Sequence, residues 1–391
     1  MKSRVFIIAV LTVGMAALFG SPVLALHDDG VAHCNACHTM HNSQNGVALN
    51  GSDVDINGDP INGLPVGQGY PDLLLFPNKT DVCLRCHDGE GSYHVWSADP
   101  TVPGGEGRNK GAGDFVFLEE DNINDAHAGA SNPVLGHAAG HSVISGIKGT
   151  VADPVLALSP GGAYPGADLA CSSCHDPHGT DAFRLTYRDG QSTTSDSGHV
   201  INWTATMTGT AINVFGGIES DSNHNAYNSD YSAWCGECHG DFHAASANLV
   251  HPAGEIMDSD QVAVYNAYRG TTDCVNNPPS GGAPCGSGTS VDAFTYVVPF
   301  VDPDIVSTSS AQGPDATNSR VACVSCHRAH ATSAMDAGRW DFNVTGMVED
   351  GHESSSFEIP MPVPYDDVFQ RSMCNKCHSR DEYDALLDFT P

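Results

Sequence analysis

Hydrophobic positions are continuous at one place only. Lys2 and Arg4 precede a mostly apolar run from Val5 to Phe19, and Val23-Leu24-Ala25 closes it with a small residue. That order predicts an export signal, residues 1–25, cleaved after Ala25. A retained N-terminal anchor is the competing reading. No Cys follows the site, so a lipoprotein is not suggested, and no later segment is apolar enough to span a bilayer. Beyond residue 25 the pattern predicts little regular structure. Ser259 to Arg269 reads as an amphipathic helix with a Ser N-cap. Asp381 to Leu387 reads as a short terminal helix. Ala293 to Val301 is β-like but interrupted by Pro299. The stretches 97–113, 186–199 and 275–290 read as loops.

Composition changes this picture. The 391 residues include 42 Gly and 23 Pro with only 7% aromatics, which is poor material for a large core. Apolar content is nevertheless 40%, too high for acidic disorder. Something other than side chains is expected to fill the interior. Lys plus Arg is 16 against 47 Asp plus Glu, a formal charge of −31. No nucleic-acid partner is expected, because such binding rests on basic patches.

Twelve of the 14 Cys form six Cys-x-x-Cys-His motifs. In chain order they are Cys34–Cys37–His38, Cys83–Cys86–His87, Cys171–Cys174–His175, Cys235–Cys238–His239, Cys323–Cys326–His327 and Cys374–Cys377–His378. Two Cys three apart can each form a thioether with one vinyl group of a haem, and the next residue, His, then reaches the iron. This is the c-type attachment signature. Zinc knuckles are the competing reading, but they explain neither the His after every second Cys nor the export signal. The fold class expected is therefore a multihaem cytochrome c: one domain, 26–391, mostly coil with short helices and few strands, elongated and packed around six haems. Several short helices are expected to carry the motifs. The motif starts are separated by 49, 88, 64, 88 and 51 residues, which suggests haems grouped as one-two, three-four and five-six. Cys274 and Cys285 stand outside the motifs in a Pro/Gly-rich stretch, and a disulfide is expected there.

Fourteen further His remain as candidate distal ligands. Two His per iron would close each iron to substrate and suit electron transfer. Met ligands are possible and not needed. His41, His178 and His330 each follow a motif His by three residues. So short an offset does not wrap to the opposite face of the same haem, so as ligands they would serve a neighbouring one. A surface role, or a bond to a haem carboxylate, is the alternative. His27, His141 and His251 join the preferred set, and His94 and His243 form a second rank. His33, His127, His137, His199, His224 and His352 are read as solvated. Asp53-Val-Asp55-Ile-Asn57-Gly58-Asp59 has the first half of a calcium loop, with Leu64 where the loop's Glu would stand. A polar loop without calcium competes with that candidate site.

The flanks of the motifs carry a resemblance. His27-Asp-Asp-Gly-Val-Ala-His-Cys34-Asn-Ala-Cys37-His38-Thr-Met-His41, Cys171-Ser-Ser-Cys-His-Asp-Pro-His178-Gly, Trp234-Cys-Gly-Glu-Cys-His and His251-Pro-Ala-Gly are four of its segments. Cys323-Val-Ser-Cys-His-Arg-Ala-His330-Ala and Gln370-Arg-Ser-Met-Cys-Asn-Lys-Cys-His378 complete it. In motif number, order and flanks the chain resembles the filament-forming family of extracellular hexahaem cytochromes, while its connecting loops differ. The resemblance implies six bis-His haems c in a continuous run of parallel-stacked and T-shaped contacts. It also implies a head-to-tail filament of identical subunits, an open polymer of repeated non-closing contacts. In that family the His matching His41 ligates the haem of the fifth motif in a neighbouring subunit. Electron delivery to other multihaem cytochromes or extracellular metal oxides follows from the same resemblance. A monomeric periplasmic or cell-surface carrier shares every haem feature. A multihaem reductase needs an open iron, often marked by Lys in place of a motif His, and all six motifs carry His. The expected protein is thus an electron carrier rather than an enzyme, extracellular or at the cell surface, with the periplasm as transit or alternative.

Overall fold

A computed structural model describes residues 34–39, 43–44, 47–48, 70–89, 94–97, 110–119, 123–124, 133–212, 219–243, 253–269, 286, 288–340, 342, 365 and 373–378. The export signal, the 53–64 loop, Cys274, Cys285 and the 381–387 helix lie outside them.

Regular structure is sparse and local. Among the described residues the strands make four two-stranded antiparallel ribbons. These are β1 (Ser43–Gln44) with β2 (Val47–Ala48), β3 (Ile123–Asn124) with β4 (Pro133–Val134), β5 (Ser192–Thr194) with β6 (Val200–Asn202), and β7 (Thr208–Thr210) with β8 (Ala226–Ser229). Helix α1 (Lys79–His87) starts at Asn78, whose side chain accepts the Asp81 N–H at 2.8 Å. Helix α2 is Tyr231–Gly236, α3 is Ser259–Ala267, and α4 is Cys323–Cys326.

Every motif sits on a helical turn. The second, fourth and fifth use α1, α2 and α4, and the others use single 3₁₀ turns at Cys34–Ala36, Cys171–Ser173 and Met373–Lys376. Each turn outside α1 closes in the same way. The motif His N–H donates to the carbonyl of the first Cys, at 2.8 Å for His38, 3.0 Å for His175 and His239, and 2.9 Å for His327 and His378. One helical turn thereby brings both sulfurs and the imidazole to one side of the chain.

Three expectations change. The cap of α3 is Asp258, not Ser259: Asp258 accepts from the N–H groups of Asp260 and Gln261, and Gln261 accepts back from Asp258 N–H. A carboxylate at that place also favours the positive end of the helix dipole. Residues 293–301 form no strand. They make a turn buried on all sides, with Ala293, Phe294, Tyr296, Val297, Val298, Phe300 and Val301 all in the core. Their apolar run therefore reflects burial from every direction, and only its last residue pairs, Val301 bridging Arg320 and Tyr227. Residues 186–199 hold β5, whose Thr193 pairs with Ile201 in a ribbon rich in β-branched side chains.

The core is divided. One cluster gathers Met257, Tyr265, Tyr268, Phe294, Trp340 and Met373, with Cys326, Cys374 and Cys377 packed against it. Smaller clusters lie under other motifs: Tyr70, Leu74, Leu75 and Val82 against Cys37, and Tyr164, Ile201 and Trp203 against Cys238.

Candidate cofactor sites

The motif thiols form a connected run. The Cys83 and Cys171 thiols hydrogen-bond one another, and so do those of Cys235 and Cys323. The turns around them pack together as well, α1 on the 171–173 turn and α2 on α4. Cys37 neighbours Cys83 and Cys86, Cys174 neighbours Cys238, and Cys326 neighbours Cys377 and Cys374. Each motif thus neighbours the next along the chain. The closest thiol contacts join motifs two to three and four to five, across the two 88-residue intervals. The six motifs form one continuous series, and the long connections fold back rather than separate the sites. Burial pushes the Cys174 and Cys377 thiols up to about 12 and the Cys238 thiol up to about 11, so these sulfurs face apolar space.

Three motif imidazoles are held by one repeated device. His38 Nδ1 donates to the Asp72 carbonyl at 2.9 Å, His175 Nδ1 to Arg184 at 2.9 Å and His327 Nδ1 to Asp336 at 2.8 Å. A carbonyl can only accept, so Nδ1 carries the proton and the lone pair lies on Nε2. Each accepting residue opens a pair of left-handed non-Gly residues. The φ values are 54° and 56° at Asp72–Leu73, 55° and 60° at Arg184–Leu185, and 58° and 55° at Asp336–Ala337. Two such residues in succession cost energy and persist only where surrounding bonds hold them. Those bonds repeat also: His38 bridges Leu74, His175 bridges Thr186 and His327 bridges Gly338. His239 and His141 use single carbonyls, of Pro160 and Ala329, both at 2.7 Å.

Three imidazole pairs face one another at a common spacing. Ring centroids are 6.3 Å apart for His38 and His178, 6.4 Å for His175 and His330, and 6.0 Å for His141 and His239. Two imidazoles sharing a first-row metal through bonds of about 2 Å stand roughly 6 Å apart, centre to centre. The spacing therefore fits one iron between each pair. Burial, reinforced by the facing imidazole, lowers His141 to about 4 and His330 to about 3. Both are neutral at pH 7, the form in which a metal binds imidazole. Phe115 stacks on His330 at 4.3 Å and closes its outer face. Buried Arg328, next to His327, has Nε and Nη2 without a hydrogen-bond acceptor. An anionic cofactor group such as a haem carboxylate would satisfy that edge. Among the described residues no three His, Cys, Asp or Glu side chains converge on one point.

The candidates divide accordingly. His141, His178 and His330 each face a motif His of another motif. His94 lies against the chain just beyond α1, its ring 3.8 Å from where a Cβ at Gly89 would sit. His243 ends a 3₁₀ turn. His27, His41 and His251 lie outside the described residues, as do His33, His127 and His352. His224, read as solvated, is instead buried, with Nδ1 3.0 Å from the Asn225 carbonyl and Nε2 3.1 Å from that of Ser310. Phe294 covers its ring at 3.8 Å. The carbonyls that orient the motif imidazoles were not among the candidates. A signal exists for two of them. Thr180 and Thr332 stand five residues after a motif His, Ala182 and Ala334 seven, and the accepting Arg184 and Asp336 nine.

No family model matches the chain. It is similar to the C-type cytochrome OmcS of Geobacter sulfurreducens, 28% identical over an alignment of 450 positions that covers 95% of this chain and 98% of that protein. Two solved structures share its fold. The Outer Membrane Cytochrome S filament of Geobacter sulfurreducens matches with TM-score 0.68 and 25% identity, over 90% of this chain and 99% of that one. The OmcS nanowires of the same organism, solved by cryo-EM, match with TM-score 0.67 and 26% identity, over 91% and 100%.

Proposed function

We propose that this chain, an OmcS-like c-type cytochrome, carries electrons outside the cell through six covalently attached haems, as one subunit of a filament of identical copies. The observation that carries the reading is the set of facing imidazole pairs at 6.0–6.4 Å, each with at least one Nδ1 on a carbonyl or a ring held neutral by burial. Haem c attached at both Cys of a motif and held by two His would supply an iron that exchanges single electrons without bond chemistry. Cys34, Cys37, Cys83, Cys86, Cys171, Cys174, Cys235, Cys238, Cys323, Cys326, Cys374 and Cys377 would anchor the groups. His178 would serve the first motif, His330 the third and His141 the fourth. His27, His251, His94 and His243 supply the remaining candidates. With two imidazoles at each iron, as the three observed pairs suggest for the rest, the role would be electron carriage rather than catalysis.

The repeat on the odd motifs supports the polymer. The His three residues after the fifth motif faces the third motif, and the His three residues after the third faces the first. His41 holds the same place after the first motif, and its own chain has no earlier odd motif. The corresponding partner is the fifth motif of a neighbouring copy, His327, as the family resemblance implies. Export through residues 1–25 would carry the subunits out of the cytoplasm, and outside the cell metal oxides or other multihaem cytochromes would receive the electrons.

Cryo-electron microscopy of the secreted, haem-loaded protein beside a His41→Ala variant tests this. Filaments in the wild type and their loss in the variant are expected. Dispersed monomers of wild type would overturn the polymer and leave a soluble multihaem carrier. Fewer than six haems per chain by intact mass would overturn the haem assignment itself.

A further inference from the structure

Lys376 lies between the two Cys of the sixth motif and is fully buried. Its Nζ shares three N–H donors among four acceptors: the carbonyls of Tyr265 at 2.9 Å, Tyr268 at 3.1 Å and Ala293 at 3.1 Å, and Tyr365 Oη at 2.7 Å. The Tyr365 hydroxyl gives its own proton to the Tyr268 carbonyl at 3.0 Å, so a lone pair is what it turns toward Lys376. Two ring faces complete the cage, Tyr265 at 4.1 Å and Tyr365 at 5.1 Å. Three carbonyl oxygens need three N–H donors, and only the ammonium has them. The aromatic faces are likewise negative. Every neighbour in this cage therefore presents electron density to a cation.

Burying an ammonium is costly, and the chain has only 16 Lys and Arg against 47 acidic residues. Solubility gains nothing from a charge sealed inside. One local benefit is structural: Tyr265 and Tyr268 lie at the C-terminal end of α3, where a cation meets the free carbonyls. The placement has a second consequence. The charge is fixed one residue before Cys377 and two before His378. The Cys377 sulfur is an attachment point of the sixth haem.

We propose that Lys376 is a potential-tuning residue, a permanent positive charge walled in beside the sixth motif that makes the haem attached there more electron-attracting than its neighbours. The inference rests on the haem assignment proposed above. The step it acts on is a single electron leaving a neighbouring ferrous haem, which becomes ferric, and entering the sixth, which becomes ferrous. No proton moves and no bond forms or breaks. The ammonium favours the state with the extra electron, as any fixed cation in a low-dielectric site does. It thus creates a local downhill step along the motif series.

The test is a haem-resolved redox titration of the holoprotein with Lys376→Met, Lys376→Gln and Lys376→Arg beside wild type, with haem number per chain read by intact mass. Both neutral variants should lower the midpoint of one haem by about 59 mV or more, a tenfold change in its electron affinity. Lys376→Arg, which keeps the charge, should leave that midpoint near wild type. Superimposed curves in Met or Gln variants carrying six haems would overturn the tuning role and leave Lys376 a structural cap. Absence of haem from the sixth motif in the wild type would instead defeat the haem assignment. If neither neutral variant loads six haems, the wild-type wave that moves in His378→Met assigns the sixth midpoint. Its place in the lower half of the six would then overturn the proposal.

Discussion

Asp114 offers a direct measure of how the protein holds an imidazole from behind. Its carboxylate is fully buried and accepts four hydrogen bonds: Ser97 N–H at 2.9 Å, Ser97 Oγ at 2.8 Å, Lys110 Nζ at 2.9 Å and Val116 N–H at 2.9 Å. It caps the 3₁₀ turn Phe115–Leu118, and its own N–H donates to the Ala331 carbonyl at 2.8 Å. Phe115 then stacks on His330. Asp114→Ala removes a cap worth about 1 kcal/mol and strands the Lys110 ammonium, a loss of about 3–5 kcal/mol for a buried pair. The two overlap, so a total near 4 kcal/mol is expected, a large part of a typical stability of about 5–15 kcal/mol. Denaturant unfolding of the holoprotein measures it. Lys110→Met added to Asp114→Ala should return part of the loss, because the stranded charge is gone. The visible spectrum should show one haem losing its low-spin character as Phe115 releases His330. A loss under about 1 kcal/mol with an unchanged spectrum would refute the chain of support from Asp114 through Phe115 to His330.

The left-handed pairs predict a substitution series. Ala337→Val puts a β-branched side chain at φ 55° in a buried place and should cost more than about 1–2 kcal/mol, read as a lower unfolding midpoint together with a changed signal from the haem at His327. Ala337→Gly should cost little or nothing. Glu119 predicts a pH dependence. Burial raises its carboxyl above the usual value despite Lys148 and the Trp96 N–H. The folded state then binds the proton more tightly than the unfolded state. Its contribution to stability is complete below about pH 4.5 and is lost as pH rises through the folded value. Glu119→Gln should therefore gain up to about 1 kcal/mol at pH 7 and nothing at pH 4, the modest size reflecting its half-exposed position. An equal gain at both pH values would count against the desolvation account.

The Cys-x-x-Cys-His motifs were legible because covalent attachment demands fixed residues at fixed offsets, whatever the surrounding fold. His178 and His330 were legible for a related reason. An offset of three is too short to reach the far side of the same group, and the structure turns both rings to other motifs. The α3 helix was legible from its capping signal, though the cap lay one residue earlier at Asp258 and its apolar residues mark out no single face as the amphipathic reading had expected. The carbonyl acceptors were not legible. A carbonyl is common to every residue, so Asp72, Arg184 and Asp336 carry no chemical label for their role. Asp72 follows its His by 34 residues where the other two follow by nine, which hides the repeat. Residues 293–301 misled for another reason. Hydrophobic density signals burial without saying whether a sheet or a turn provides it. His224 shows the converse, since a polar side chain was assigned to water although two carbonyls and Phe294 enclose it.

The odd-motif repeat also bears on why this protein tolerates so little ordinary core. Each unit couples a one-turn Cys-x-x-Cys-His segment to a left-handed residue pair, and the second and third units each turn a His toward the unit before. The third unit therefore completes the second, and the second completes the first. Such a series has nearest-neighbour logic, like a solenoid in which each repeat buries the face of the last. Stability then depends on occupancy of the shared sites, since a ligand bound only by the folded form adds to its stability. Local hydrophobic clusters need only hold each turn in place. In the polymer proposed above, the same logic would have His41 of one copy lent to the fifth motif of the next. Copies joined in that way would extend the series with no new kind of contact, the proposed filament reusing the link seen between the units of one subunit.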